Sequence, residues 1–193
     1  MNLYSFSTGI KSEIKEILLI LIMDHAMKVE FVWGNITEDL KKEVVAFWSA
    51  EQAILDEEKA KKRANELVAI CRKSGELVGV VTHVKYLYQP LQNYFHLRRT
   101  FVKESARNQG VMKALFQEIW KIFSEKKIYE AEGIVGIMGV QENPHLNSRN
   151  TAVWTEYGNN VLIGLDSRGF QIRASYFEGA KLTLPKQSQG APS

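Results

Sequence analysis

Arg107, Asn108, Gln109, Gly110, Val111, Met112 and Lys113 form the stretch of this chain whose residue types and spacing could do chemistry. They link a β-like segment, Tyr94 to Val102, to a segment that carries Leu115, Ile119 and Phe123 on one helical face. A strand, a polar turn and a helix start together present N–H groups that have no intrahelical partner, at the positive end of the macrodipole. Phosphate or pyrophosphate is the expected guest. Gly110 lets the backbone approach such a ligand closely, and Arg107 and Lys113 add positive charge on either side. The plainer alternative is an ordinary β-to-α connection that bears a surface arginine.

The elements that must position this turn follow from patterning. Lys28 to Trp33 alternates and predicts a first strand, and Thr37 is placed to cap a helix with Leu40, Val44, Phe47 and Trp48 along one stripe. A second helix, Asp56 to about Asn65, is highly charged and belongs on the surface. Glu66 to Arg72 and Leu77 to Tyr88 are rich in β-branched residues and flank a hairpin turn at Lys73 to Glu76. With Tyr94 to Val102 they form an antiparallel meander. Ile134 to Gln141 follows the motif helix and should lie parallel to the motif strand. Gly133, Gly136 and Gly139 in and before that strand mark close approach by a ligand or another backbone, or else bulges. A short helix is expected around Asn150 to Tyr157, then a hairpin of Val161 to Asp166 and Phe170 to Phe177. The fold class is therefore mixed α/β.

With 193 residues, 45% hydrophobic and 24% charged, the chain suits one domain with a sizeable core or one domain with an appendage. A net charge of +3 argues against a general polyanion binder. The single cysteine, Cys71, excludes an internal disulfide and fits a reducing, cytoplasmic compartment. The apolar run Ile17 to Met23 is far short of the ~20 residues that span a bilayer, so no membrane anchor is expected. Residues 1–27 read as an extension, either helical or upstream of a true start at Met23 or Met27, and the apolar run would suit a homodimer contact. Residues 28–184 form the domain, and 185–193, rich in Pro, Gln, Gly and Ser, should be disordered. His25, His83, His96, His145 and Cys71 lack the spacing of a metal site, so no metal is expected. Cys71 sits in an apolar strand pattern and reads as inert core.

The order strand, Arg-x-x-Gly-x, amphipathic helix resembles the acyl-CoA-binding motif of the GNAT superfamily of N-acetyltransferases. The match lies at Val102, Arg107 and Gly110, and the departure at Met112, where that family usually has a small residue. The resemblance implies an acyl-CoA N-acyltransferase fold, with an antiparallel meander followed by a parallel, splayed strand pair. It implies acetyl-CoA as co-substrate, with the diphosphate on amides of Arg107, Asn108, Gln109, Gly110, Val111, Met112 and Lys113. Pantetheine would pair with Phe101 and Val102, and the Val102 N–H would polarise the thioester carbonyl.

The same resemblance implies a tyrosine as proton donor to the leaving thiolate, seven residues after an asparagine. Tyr157 and Asn150 have that spacing; Asn143 and Asn147 are rivals for the asparagine. The position of the family's base falls on His96, which shares strand parity with Arg98, Thr100 and Val102, with Glu104 and His83 in reserve. The implied function is acetyl transfer from acetyl-CoA to a primary amine, on a small molecule or a protein, by direct attack in a ternary complex. The helices after the first strand would then help form the acceptor site. Two alternatives stay open: a CoA-binding module without catalysis, and a nucleic-acid binder using the Arg98 to Arg107 cluster with Tyr94 and Phe95.

Overall fold

A computed structural model describes residues 27–127, 130 and 132–184. The expectations for the N-terminal extension and for the tail lie outside them, except that Met27 already belongs to the first strand.

In chain order the elements are β1 (Met27–Phe31), α1 (Glu38–Ala50), α2 (Glu57–Ala64), β2 (Leu67–Lys73), β3 (Glu76–Tyr88), β4 (Asn93–Val102), α3 (Val111–Lys126), β5 (Ile134–Val140), a single-turn α4 (Pro144–Asn147), β6 (Val153–Trp154), β7 (Asn160–Leu165) and β8 (Gln171–Tyr176). They build an eight-stranded mixed sheet in the order β1-β2-β3-β4-β5-β8-β7-β6. Among the described strands only β4 and β5 pair in parallel, as the crossover through α3 requires.

Local chemistry explains most boundaries. The Thr37 hydroxyl accepts the Leu40 N–H at 3.2 Å and starts α1, whose Val44 and Trp48 are buried. The Asp56 carboxylate does the same for Lys59 at 3.0 Å and starts α2. Ser74 and Gly75 both have positive φ, 50° and 78°, which is the two-residue turn whose twist suits a β2–β3 hairpin.

The core between α3 and the sheet centres on Phe123. Its ring meets Phe31, Trp33, His96 and Phe177 at 6.0, 5.3, 4.9 and 6.2 Å between centroids. The opposite face of the sheet is covered near β2 and β3 by α1 and α2, through Val44, Trp48, Ala60 and Ala64.

The three glycines around β5 have different causes. Gly133 has φ +63° and turns the chain into β5. A Cβ on Gly136 would lie 2.2 Å from the Ser175 carbonyl oxygen of β8, so backbone and not ligand demands glycine there. Gly136→Ala must push β5 off β8, and a loss of about 3 kcal/mol or more is expected in urea denaturation. Gly139 lies beside Arg98 of β4, with a virtual Cβ 3.4 Å from its carbonyl oxygen.

The helix expected at Asn150 to Tyr157 does not form. Residues 153–154 are β6 and Thr155–Tyr157 a turn of 3-10 helix, with the one-turn α4 placed earlier. The cause is Arg173, fully buried in β8. Its guanidinium donates to the carbonyls of Thr151, Ala152 and Asn160 and to the Gln171 and Asn160 side chains, at 2.7 to 3.2 Å. It also lies 4.0 Å from the Trp154 ring centroid. Carbonyls turned inward to a buried cation cannot also bond along a helix, so the segment stays extended around it.

Candidate active site

Pairing between β4 and β5 stops at Leu97 and Met138, although β4 runs on to Val102 and β5 to Val140. Lys103 donates its N–H to the Val78 carbonyl of β3, so by alternation the backbone groups of Arg98, Thr100 and Val102 point the other way, into the opening gap. They form a short strand edge with no strand to pair with, suited to an extended ligand that carries amides.

The turn at the end of that edge has the conformation the sequence predicts for an anion site. Gly110 has φ +83°, no side chain caps the start of α3, and the first intrahelical bond runs from Ala114 N–H to Gly110 O at 2.9 Å. The amides of Val111, Met112 and Lys113 therefore precede the helix ladder, at its positive end. Asn108 has φ 62°, which bends the turn. Arg107 reaches back, its Nε donating to the Val102 carbonyl at 3.3 Å, and so ties the turn to the strand end. Gln109 is held between the Ser105 carbonyl (2.7 Å) and Lys73 Nζ (2.6 Å). Met112 is half-buried and Lys113 exposed. Phe101 points to the α1 side, its ring 5.6 Å from that of Phe47.

Tyr157 packs its ring edgewise on Phe116 of α3 at 5.8 Å and near Trp154 at 6.3 Å. Burial and the Glu156 carboxylate push the phenol's pKa up, against the opposing pull of Arg98 and Arg149. It therefore carries its proton at neutral pH. Asn150 is exposed, lies on no helix, and does not share an element with Tyr157. Asn143 caps α4, and Asn147 accepts the Gln171 N–H at 2.7 Å, so both rivals serve the backbone.

Arg98, which the sequence placed in a basic cluster and by parity on the face of Val102, was given no role there. Its guanidinium lies 4.9 Å from the Phe116 ring centroid and beside Gly139, and burial pushes its pKa down to about 10. Phe95 is fully buried, which removes it as a base-stacking platform.

His96 shares that parity but sits deeper, 1% exposed, stacked 5.3 Å from His83 and walled by Trp33 and Phe123. Burial, with a smaller push from Lys85, lowers its pKa to about 4, and His83 is driven well below its ordinary value by burial, His96 and Arg98. Glu104 is exposed and follows β4, beside Arg107. A histidine held neutral in the fold but protonated at about 6.5 when unfolded makes the unfolded chain bind more protons below that pH. Stability is therefore full above pH 6.5 and falls as pH drops toward 4, by an amount on the order of 3 kcal/mol for His96. Urea midpoints measured from pH 7.5 down to 4.5 should decline through this window.

Cys71 is fully buried, and burial pushes its thiol up to about 11, which leaves it unreactive. Among the described residues no three of His, Cys, Asp and Glu come together, and no helix is long and apolar enough to cross a membrane.

The sequence profile of the Acetyltransferase (GNAT) family matches residues 33–150, which takes in α1 through β5 and the whole of the turn described above. A search of curated proteins finds no match. Among solved structures, a GNAT-family acetyltransferase from Streptococcus pneumoniae superposes with a TM-score of 0.55 at 12% identity, over 79% of this chain and 99% of that one. The ribosomal-protein-S18-alanine N-acetyltransferase of Escherichia coli gives 0.51 at 12% identity, over 83% and 99%. The ribosomal-protein-S5-alanine acetyltransferase of Vibrio fischeri gives 0.52 at 11% identity, over 80% and 95%. At such identities these likenesses speak for the fold alone. Together with the profile match over most of the chain, the splayed β4–β5 pair and the Gly110 turn make this protein a member of the GNAT acetyltransferase family.

Proposed function

We propose that the protein is an N-acetyltransferase that takes an acetyl group from acetyl-CoA and gives it to a primary amine by direct attack while both are bound. The observation that carries this reading is the unpaired edge of β4, which ends at an uncapped helix start. Pantetheine carries two amides and can pair with the gap-facing groups of Thr100 and Val102, while its diphosphate meets the amides of Gly110 to Lys113.

The acyl group then lies near Arg98, with Tyr157 beside it on the α3 face of the sheet. As the amine nitrogen bonds to the carbonyl carbon, the carbonyl oxygen gains charge that a β4 N–H in the gap stabilises. When the C–S bond breaks, the Tyr157 hydroxyl gives its proton to the thiolate, and the nearby Arg98 guanidinium offsets the charge left on the phenol oxygen. His96 fits this scheme as packing: at about 4 its pKa makes it a poor base at neutral pH, and its surroundings seal it from solvent. The amine proton goes to water in the cleft.

The test is release of CoA thiol from acetyl-CoA against a panel of primary amines, beside a calorimetric titration with acetyl-CoA. Binding with amine-dependent thiol release is expected. No heat and no thermal shift at millimolar acetyl-CoA would contradict the reading. Binding without turnover on any amine would favour the non-catalytic module, which the sealed His96 makes a definite second reading.

A further inference from the structure

On the face of β4 opposite α3 there is a hollow of about 310 Å³ lined by Arg99, Glu66 and one side of α2, from its cap Asp56 through Lys59 and Lys62 to Arg63. Arg99 lies in the unpaired half of β4, one residue from Thr100, so the hollow borders the gap that the pantetheine arm would fill.

Its lining sets Lys59, Lys62, Arg63 and Arg99 against Asp56, Glu58 and Glu66, so it is one negative charge short. Asp56 is engaged as the cap of α2, and Glu58 pairs with Lys61 at 3.0 Å. That leaves Glu66 as the free carboxylate of the lining, and Arg99 takes it, Nη1 to Oε2 at 2.9 Å. Among the described residues the Arg63 guanidinium makes no hydrogen bond or ion pair; it is half-buried, and burial and the like charge of Arg99 lower its pKa against the weaker pull of Glu66. Glu142, just past the end of β5, attracts Arg63 only weakly and is itself bound to Arg168 at 2.6 Å. Two guanidiniums thus converge on one carboxylate. Like charges held together in a partly desolvated hollow raise its energy unless a ligand anion enters, and the shortfall is one negative charge.

Basic residues in the last turn of a helix also favour its dipole, which accounts for their presence in α2. That does not account for Arg99 of β4 lining the same hollow, where its charge disfavours that of Arg63.

We infer that the acceptor of the transfer carries a carboxylate and that this carboxylate is received between Arg63 and Arg99. The inference rests on the acetyltransferase reading for the word acceptor, but the hollow and its charge do not depend on it. A planar carboxylate with one charge fits the shortfall, and the fork geometry of arginine suits it. The source is either a free amino acid or an acidic residue close to the amine of a peptide.

Calorimetry on the full chain preloaded with CoA tests this with matched pairs: γ-aminobutyrate against butylamine, and a short peptide with Asp near its N-terminus against the same peptide with Asn. At least one carboxylate-bearing member should bind about tenfold or more tighter than its partner, which is the scale of one charge-assisted hydrogen bond. Arg63→Gln should remove that preference, and Arg63→Lys should restore part of it, while CoA affinity stays unchanged in both. A preference in the free amino acid pair alone, or in the peptide pair alone, identifies the source. Equal or absent binding within both pairs, or a preference that survives Arg63→Gln, overturns the inference. Failure of CoA itself to bind would strike the acetyltransferase reading instead, and the same pairs can then be read on the unloaded chain.

Discussion

Tyr157→Phe is expected to lower kcat by about 10²-fold or more while CoA affinity stays the same. The substitution keeps the ring, and with it the edgewise contact to Phe116 and the packing near Trp154, and removes only the hydroxyl. An alkyl thiolate leaves as a basic anion, and an acid that protonates it as the C–S bond breaks lowers the barrier to collapse of the tetrahedral intermediate. In the proposed scheme the Tyr157 phenol, kept protonated by burial, is that acid. Because that pKa is raised, the wild-type enzyme should hold its activity to higher pH than an ordinary phenol would allow, and the variant should lose this alkaline limb. The readout is steady-state kcat for thiol release across pH. A change of less than about threefold would mean that water protonates the thiolate and that Tyr157 merely packs on α3.

Gly110→Val is expected to weaken CoA binding by about one to two orders of magnitude with the fold retained. The cause is conformational: Gly110 has φ +83°, and a virtual Cβ there meets nothing within 4 Å, so space is not the obstacle. A β-branched residue at that φ costs roughly 1–3 kcal/mol, and the turn relaxes by moving the amides that follow it. The exposed position limits the damage to the core, so thermal stability should fall far less than affinity. Gly110→Asn, which tolerates positive φ, should recover much of the loss. Calorimetry on the three proteins checks this. Undiminished affinity in Gly110→Val would move the diphosphate elsewhere.

Much of the scaffold was legible because it is set locally. Thr37 and its apolar stripe, the Ser74-Gly75 turn and the uncapped Gly110 all act within a few residues of chain. The parallel β4–β5 pair followed from the crossover rule. What was hidden is set by distant partners. The 150–157 segment carried a warning in Thr151, Val153 and Thr155, all weak helix formers, but its shape is imposed by Arg173.

His96 was placed on the right face by parity. Whether that face was core or cleft depended on Trp33 and Phe123 closing over it, and no local pattern reveals this. For Gly136 the sequence left open a ligand, another backbone or a bulge, and it is the β8 backbone that demands it. The Arg63–Arg99 hollow joins a helix whose charges read as surface to a strand whose arginines read as a basic cluster beside the motif.

Which amides hold the diphosphate can be read from a titration of ¹⁵N-labelled protein with CoA, followed amide by amide in NMR spectra. The largest shifts are expected on Gly110, Val111, Met112 and Lys113, with a second group on Thr100 and Val102 of the β4 edge. Saturating CoA that leaves these amides in place while moving those around Arg63 and Arg99 would contradict that expectation.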